Sequence, residues 1–507
     1  MSIRALSGDY QRPTLWYFLS VAATTIGGSL QFYSNNVLNS MQEYVEHWIN
    51  ETAADRTDHR DEEDVPMMSR STITAYWSVV SSAILAGGLI GALCMRFVAD
   101  RVGRRNGLLL NALVNLVGLL AASMARFVKS PELLVVGRAL TGAALGVISG
   151  LVPMYLTEIS PIKYRGATAS CHMVAIAFGD VLSLIVGLPF LLGNENCWHY
   201  ALMLPILSAL FLLATLPFCP ESPRFLLAVD RQRAAKVAVQ KLVANGEDVN
   251  ERLTLLQLDE EVSASGQQSA DHGATATFFQ NLTKMWQNRV LRQPLLLSIT
   301  VMIAQIFSGN VPVFLYSTTI FESAGLTATV AQSSTAAIGC VYFVSVCVSL
   351  CLIERLGRRL LFVTQLCLCS CVLALLAIAI AFSDQSSLAQ YASVVLLMCY
   401  MAAYGIGCSI PWLIASELFE QRYRATAVTI STAVSWTFGC VNSVAYLPWK
   451  EAVGTPISFT PYICIMFVCI VIIGRYLPET KSRSIHEITE VFQKRMVARH
   501  NGYKAIA

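Results

Sequence analysis

Residues 100–105 read DRVGRR and residues 354–359 read ERLGRR, and this repeated charged stretch decides the fold of the chain. Two further motifs recur at nearly the same spacing: Glu158 and Arg165 as Glu417 and Arg424, and PES at 220–222 as PET at 478–480. The offsets are 254 to 259 residues, about half of the 507-residue chain. The sequence therefore predicts two related halves.

The segments between these motifs are strongly apolar. Hydrophobic residues make up 55% of the chain and charged residues 14%, whereas a soluble domain carries about 25% charged residues. A helix needs about 20 apolar residues to cross a bilayer. We predict an all-α membrane protein with twelve spans, numbered 1 to 12, near residues 15–38, 75–98, 107–127, 132–156, 168–191, 199–217, 294–319, 333–353, 360–382, 390–415, 427–447 and 459–477.

The distribution of charge predicts the orientation of these spans. Basic residues follow spans 2, 4, 8 and 12, and such loops stay in the cytoplasm. We therefore expect a multi-pass protein of the cell membrane with both termini cytoplasmic. The loop 41–70 is acidic and is expected outside, where Asn50 in the pattern Asn50-Glu51-Thr52 is a candidate glycosylation site.

The repeat also predicts the domain organisation. We expect an N-terminal six-helix bundle at 1–217, a cytoplasmic helical linker at 218–292, a C-terminal six-helix bundle at 293–480 and a cytoplasmic tail at 481–507. Within the linker, 231–243 and 251–262 are helix-forming. Parallel repeats of this kind are related by an axis along the membrane normal, with the solute site between them near the midplane.

Several functional classes have no support in the sequence. The net charge of +3 is too small to indicate nucleic-acid binding, and the fifteen cysteines show no metal-ligand spacing. We find no nucleophile–base pair and no phosphate-binding loop. We therefore expect no enzyme activity, no cofactor and no required protein partner beyond the lipid bilayer and a small solute.

The repeated charges predict a gate. Basic residues alone would serve to anchor topology, but acids stand beside them at matching positions in both halves. We expect a network at the cytoplasmic ends of the bundles that holds the inner side closed while the outer side is open. Its predicted members are Glu158, Arg165, Glu417, Arg424, Arg104, Arg105, Arg358 and Arg359.

Taken together, the motifs resemble the sugar-porter family of the major facilitator superfamily, and most closely the animal facilitative glucose transporters. The resemblance runs from GSLQF at 28–32 through PESPR at 220–224 to RQP at 292–294, IPW at 410–412 and PETK at 478–481. It implies a sugar site in a cleft between the halves, where amide side chains bond the hydroxyls and tryptophans pack alongside. Gln305, Trp412 and Trp436 match that set, and Asn310 lies one position from a further asparagine of the family.

Other positions depart from the family pattern. Met173 stands where span 5 carries a glutamine, Tyr342 where span 8 carries an asparagine, and Tyr404 where span 10 carries an acid. The second glutamine of span 7 is replaced by Ile306. Each lost amide leaves a sugar hydroxyl unpaired at about 1–3 kcal/mol, so either other polar groups compensate or the solute differs. The hydroxyls of the two tyrosines are candidates for compensation.

Asp180 is the remaining candidate residue. It lies in span 5 seven positions after Met173, on the same helix face, and an acid within a membrane span suggests a functional role. It could bind a polyol hydroxyl, favour a cationic solute or take up a proton, or it could have a structural role, bonded to a neighbouring helix or reaching the outer surface. Our leading hypothesis is facilitative transport of a hexose or related polyol by alternating access. The alternatives are a carrier of the same fold for a non-sugar or proton-coupled solute, and a sensor that binds solute without transporting it.

Overall fold

A computed structural model describes residues 14–56, 69–161, 164–242, 254, 274–383, 385–419, 421–481, 487–488, 490–492 and 494. The secondary structure in these ranges is helical, as predicted. The predicted helix at 231–243 is observed as Gln232–Leu242. The predicted helix at 251–262 and most of the tail after 481 lie outside the described residues.

All twelve predicted spans have helical counterparts. They are span 1, Leu15–Gly27 continued by Ser29–Phe32 and Tyr33–Asn36; span 2, Arg70–Arg101; span 3, Arg104–Val128; span 4, Pro131–Ile159; span 5, Arg165–Val186; span 6, Trp198–Met203 with Pro205–Thr215; span 7, Arg289–Gln305, Ile306–Asn310 and Val311–Ser323; span 8, Ala328–Leu356; span 9, Arg358–Ala381; span 10, Ser387–Gly407 with Ile410–Glu417; span 11, Gln421–Val453; and span 12, Thr460–Tyr476.

Ten of these spans, numbers 2 to 10 and 12, are long and apolar enough to cross a membrane. Span 1 breaks after Gly27 and continues as short turns. Span 11 has 33 residues but carries many serines and threonines along its length. Large apolar side chains such as Ile90, Leu93 and Phe97 are half or more exposed, as expected for a surface that contacts lipid.

Small residues set the packing inside the N-terminal half. Span 4 packs against spans 2 and 3, and glycines let the backbones meet. A Cβ atom at Gly142 would lie 1.9 Å from the carbonyl oxygen of Ile84, and one at Gly87 would lie 1.9 Å from that of Ala139. Spans 2 and 4 therefore touch backbone to backbone.

The C-terminal half is built around span 10, which packs against spans 8 and 9. The two halves meet along two helix pairs, span 2 with span 11 and span 5 with span 8. Spans 1, 7 and 10 are interrupted where they pass between the halves. In span 7 the turn Ile306–Asn310 is wider than an α-helical turn, and Gly309 has a φ of 98°, which favours glycine.

The two ends of the bundle differ in structure. We call the end that carries the loops after spans 2, 4 and 8 the basic end, and the other the opposite end. The helix Gln42–Arg56 lies at the opposite end, between spans 1 and 2. The helices Gln232–Leu242 and Ala274–Gln287 belong to the segment between the halves. The carbonyl oxygen of Lys241 accepts a hydrogen bond of 2.6 Å from Thr14 Oγ1 at the start of span 1.

Candidate functional site

A cavity of about 200 Å³ lies between the two halves. Its walls come from spans 1, 2, 4, 5, 7, 8, 10 and 11, so both halves contribute. The eight residues predicted to contact solute all line it: Gln305, Trp412, Trp436, Asn310, Asp180, Met173, Tyr342 and Tyr404. The structure thus brings the predicted set together in one place, between the halves as the repeat predicts.

Gln305 is held by a second glutamine. It ends the regular part of span 7 and is 4% exposed. Gln365 Nε2 of span 9 donates a hydrogen bond of 3.2 Å to Gln305 Oε1. This contact fixes the orientation of the amide, while Gln305 Nε2 has no protein partner among the described residues. The side chain therefore presents its NH2 group, with two N–H donors, at the cavity.

An aromatic wall closes the C-terminal side of the cavity. Phe314 of span 7 packs edge-on against Tyr342, with 5.0 Å between the ring centroids. The ring centroid of Tyr404 lies 6.0 Å from that of Tyr342. Asn310 Nδ2 donates to the Tyr404 hydroxyl at 3.0 Å, and the Tyr342 hydroxyl lies 3.9 Å from Cys408 Sγ. Because both hydroxyls contact other protein groups, Tyr342 and Tyr404 mainly shape the wall of the cavity. The hydroxyl of Tyr404 also fixes the orientation of the Asn310 amide.

Span 1 supplies polar groups that the sequence reasoning missed. Asn35 and Asn36 line the cavity although we did not assign them to the solute. Asn35 Nδ2 donates to Asn36 Oδ1 at 3.1 Å. The other amide atom, Asn35 Oδ1, has no hydrogen-bond partner in the described part of the chain. The signal was present as the run Ser34-Asn35-Asn36 within an otherwise apolar span, since polar residues in spans mark functional positions.

Four buried polar atoms at this cavity have no hydrogen-bond partner within the described ranges. They are two donors and two acceptors: Gln305 Nε2, Trp436 Nε1, Asn35 Oδ1 and Asn310 Oδ1. A buried polar atom without a partner costs about 1–3 kcal/mol. Two donors and two acceptors around one small cavity can be satisfied by a solute whose groups both donate and accept.

Trp436 lies against the other half of the protein. A Cβ atom at Gly88 of span 2 would lie 2.3 Å from its ring carbons. The absence of a side chain at position 88 therefore creates the space for the indole. This glycine was not assigned to the site from the sequence, because its role depends on span 11 packing against span 2.

Asp180 is buried and bonded across to span 1. It is 6% exposed, lines the cavity and accepts a hydrogen bond of 2.7 Å from Asn36 Nδ2. No basic side chain forms an ion pair with it among the residues that the structure describes. His172, two turns earlier, also lines the cavity, and its Nδ1 lies 2.7 Å from Ser29 Oγ. The amide of Asn36 replaces part of the hydration that this carboxyl group loses on burial.

The repeated motifs form one polar cluster at the basic end of the N-terminal half. Arg104 Nε lies 3.0 Å from Glu158 Oε2, and Ser222 Oγ donates to the same carboxylate. Glu221 Oε1 accepts from the backbone amides of Arg104 and Arg105 at 3.1 and 2.9 Å. Glu221 thus caps the N-terminus of span 3, where a negative charge is stabilised by the helix dipole.

The C-terminal half repeats this cluster with its own residues. Arg358 Nη2 lies 3.3 Å from Glu417 Oε1, and Thr480 Oγ1 donates to Glu417 Oε2 at 2.5 Å. Glu479 accepts from the backbone amides of Arg358 and Arg359 at 2.8 and 3.1 Å. The repeat in the sequence is therefore a repeat of contacts, with each arginine–glutamate pair formed inside one half.

This pairing differs from the predicted network between the halves. The pairs Arg104–Glu158 and Arg358–Glu417 each stay within one bundle, and Arg424 Nε has no partner in the described ranges. The side chain of Arg165 lies outside the described residues, and the Arg105 guanidinium donates to backbone carbonyls of its own half. The physical reason is that the PES and PET segments fold back beside each acid and hold it in its own half. The gating role of these residues remains a prediction.

Side-chain hydrogen bonds between the halves are found mainly at the opposite end. Asn39 Nδ2 donates to Ser317 Oγ at 2.8 Å, and Thr319 Oγ1 donates to Gln42 Oε1 at 3.0 Å. Gln332 Nε2 donates to the carbonyl oxygen of Ser40 at 3.1 Å. At the basic end, the corresponding contact in the described ranges is a long one of 3.5 Å from Arg96 to Thr426. The halves are therefore joined more firmly at the opposite end.

Glu479 caps the N-terminus of span 9, and the effect of this cap on stability can be tested. Burial raises its pKa, but hydrogen bonds from the backbone amides of Lys481, Arg358, Arg359 and Thr480 outweigh this, so its pKa lies below the usual value for glutamate. We expect Glu479→Gln to lower the free energy of unfolding by about 1 kcal/mol at neutral pH, because neutral acceptors bond more weakly than charged ones.

The sign of the pH dependence follows from the direction of this shift. A lowered pKa in the folded state stabilises the fold above the pKa of the unfolded chain, and this stabilisation is lost as pH falls through the folded value. Melting temperatures of the detergent-solubilised protein should therefore differ between wild type and Glu479→Gln at neutral pH and converge on acidification. A difference that stays constant with pH would contradict the assigned role of the carboxylate.

Comparisons with known proteins agree with this architecture. The sequence profile of the family described as "Sugar (and other) transporter" matches residues 20–492. The chain is 32% identical over 495 residues to the human protein "Solute carrier family 2, facilitated glucose transporter member 4", covering 96% of this chain and 92% of that one. It is 30% identical over 483 residues to member 3 from Rattus norvegicus, with 95% and 93% covered.

Solved structures resemble the fold. An inward-open conformation of the xylose transporter XylE from E. coli superposes with a TM-score of 0.73 at 19% identity, covering 94% of this chain and 99% of XylE. A partially occluded inward-open conformation of the same protein gives 0.72 at 20% identity, with 92% and 99% covered. The arrangement of twelve helices in two halves is thus that of a known transporter fold.

Proposed function

Because this chain belongs to the sugar transporter family, within the major facilitator superfamily, we propose that it carries a hexose or a related polyol across a membrane by facilitative alternating access. The chain is a multi-pass membrane transporter rather than an enzyme, since its relatives are transporters of this family. The relatives are named for glucose transport, and the solved neighbour is named for xylose. The identity of the solute and the passive mode are our proposal.

One observation carries the choice of a hydroxylated solute. The cavity presents two unpartnered donors, on Gln305 and Trp436, and two unpartnered acceptors, on Asn35 and Asn310. A hydroxyl group is both a donor and an acceptor, so a polyol can satisfy all four atoms. The volume of about 200 Å³ is below the 300–1,000 Å³ typical of sites for drug-sized ligands, which favours a small solute.

The positions of the amide side chains explain how this chain could bind a sugar although it lacks some of the amides found in the family. Met173 and Ile306 line the cavity as apolar residues where the family has glutamines. Asn35 and Asn36 of span 1 add amides on the N-terminal side. We propose that this substitution of amide positions keeps a sugar-binding site but changes which hydroxyls are bonded, and hence the preferred solute.

The transport cycle that we propose uses the two ends in turn. The halves are joined at the opposite end by Asn39, Gln42 and Gln332, and a rocking motion would release these contacts while the basic ends close. Glu158, Glu417 and their arginine partners would then approach the other half. We further propose that the basic end is cytoplasmic together with both termini, that the protein resides in the cell membrane, and that Asn50 is glycosylated.

An uptake assay in liposomes tests this function. The purified protein would be reconstituted and offered radiolabelled glucose in competition with fructose, inositol, xylose and a charged solute. We expect saturable uptake that a hexose or polyol inhibits and that equilibrates without concentrating the solute. Absence of saturable uptake for any sugar or polyol would overturn the proposal.

A second candidate function follows from Asp180. A carboxyl group buried in the solute cavity and bonded to one amide is costly as a lone charge, so a proton or a cationic solute could neutralise it during the cycle. The same liposomes with an inward proton gradient separate the two candidates. Facilitative transport predicts no accumulation of sugar, and Asp180→Asn should then leave pH dependence unchanged. Accumulation driven by the gradient and abolished by Asp180→Asn would favour the coupled carrier.

A further inference from the structure

Three side chains that could ligate a metal converge at the opposite end of the bundle. His47 and Glu51 lie on the helix Gln42–Arg56, and Glu195 lies in the loop between spans 5 and 6. We propose that His47, Glu51 and Glu195 form a binding site for a divalent transition-metal ion, with zinc as the best fit. This site is separate from the solute cavity and does not depend on which solute is carried.

The spacing of the donor atoms supports this proposal. His47 Nδ1 lies 3.5 Å from Glu51 Oε1 and 3.9 Å from Glu195 Oε1, and one donor atom from each residue lies within 4.8 Å of the other two. With metal–ligand bonds of about 2.0–2.2 Å, ligands of a tetrahedral zinc ion are about 3.3–3.5 Å apart. The two distances to the imidazole are close to this value, and the carboxylates reach it by side-chain rotation.

The backbone around the three residues is held in place by packing. Trp48 follows His47 in the helix, and Trp198 begins span 6 three residues after Glu195. Both rings are buried, and their centroids lie 5.3 Å apart. Arg126 donates a hydrogen bond of 2.5 Å to the carbonyl oxygen of Glu195. The loop and the helix are therefore positioned before any ion binds, which lowers the cost of assembling the site.

The donor set selects the class of metal. One imidazole nitrogen with two carboxylates suits zinc and similar transition metals, whereas magnesium and calcium prefer six or more oxygen ligands. The His47 imidazole lies 3.5 Å from one carboxylate and 3.9 Å from the other, and a neutral imidazole nitrogen is the form that binds a metal. The three side chains are more than half exposed, so an ion can enter from solvent and water can complete the coordination.

An ion at this site would link two connections of the N-terminal half. The helix Gln42–Arg56 begins at Gln42, whose amide oxygen contacts Thr319 of the other half. An ion that fixed this helix against the loop before span 6 would stabilise the part of the N-terminal half that contacts the C-terminal half. Zinc is therefore expected to raise thermal stability whether or not the protein carries sugar.

The test uses the full-length purified protein and zinc chloride, with magnesium chloride as the metal control. We expect zinc, but not magnesium, to raise the melting temperature in a saturable manner. Glu51→Gln should weaken zinc affinity by at least about tenfold, because even changes to outer-shell partners of a metal cost 10- to 100-fold. Glu132→Gln, which removes an exposed glutamate in the first turn of span 4, is the matched control and should bind zinc as the wild type does.

Two results would overturn the proposal. One is the absence of a zinc-specific shift in the wild type, measured alongside direct titration by calorimetry. The other is an equal loss of zinc affinity in Glu51→Gln and Glu132→Gln, which would indicate binding elsewhere on the surface. His47→Ala gives a second check, since it removes the nitrogen ligand without altering the carboxylates. Sugar uptake measured in the same preparations shows separately whether the proposed transport function holds.

Discussion

Replacing Gln305 with alanine is expected to reduce uptake of the preferred sugar roughly 5- to 150-fold. The amide supplies an unpartnered donor at the cavity, and a lost hydrogen bond to a buried group costs about 1–3 kcal/mol. The change also leaves Gln365 Nε2 without its acceptor. Initial uptake rates at several sugar concentrations, normalised to the amount of reconstituted protein, measure the effect.

A second glutamine provides a matched control for this change. Gln390 Nε2 donates to the carbonyl oxygen of Ser383 outside the cavity, so Gln390→Ala removes the same atoms without touching the solute. We expect this variant to transport like the wild type. Equal uptake by Gln305→Ala and the wild type would show that this amide does not contact the solute, and would remove the main support for a hydroxylated substrate.

The largest effect on stability is expected from Gly142→Val. The Cβ atom would lie 1.9 Å from the carbonyl oxygen of Ile84, so spans 2 and 4 would have to separate. Overpacking a tight core costs about 1–3 kcal/mol, and here the clash is with backbone that cannot change rotamer. We expect most of the protein to be lost as aggregate, measured as the monodisperse fraction after solubilisation in detergent.

Gly474→Val is the control for that experiment. It makes the same substitution within a membrane span, but a Cβ atom at Gly474 of span 12 meets nothing within 4 Å. The yield of monodisperse protein should therefore be close to that of the wild type. If both variants folded equally well, the backbone contact between spans 2 and 4 would not be limiting, and the helices would be able to separate at low cost.

The fold could largely be predicted from the sequence because its signals are local and repeated. Apolar length gives the spans, and the recurrence of DRVGRR as ERLGRR gives the two halves. The glycines in these motifs, Gly103 and Gly357, have φ of 96° and 90°, so each motif carries its own turn. The bounds of the spans were less accurate: span 2 begins at Arg70 and span 11 ends at Val453, several residues beyond the prediction.

The candidate site was predicted in part. The resemblance pointed to Gln305, Trp412 and Trp436, and helix periodicity placed Asp180 on the face of Met173; all of them line the cavity. Asn35 and Asn36 were missed because span 1 is broken after Gly27, and a regular helical period does not describe the residues beyond. Gly88 was missed because the indole that packs against it, that of Trp436, lies in the other half.

The sequence by itself determined the number of spans, the duplication and the type of residue available to the site, since these depend on apolar length and on motifs within one segment. Only the tertiary structure decided which polar atoms have partners. It paired Asn310 with Tyr404, left Asn35 Oδ1 without a partner among the described residues, and placed Glu158 and Glu417 each beside an arginine of its own half. The physical reason is that hydrogen bonding at the cavity depends on distances between helices that are far apart in the chain.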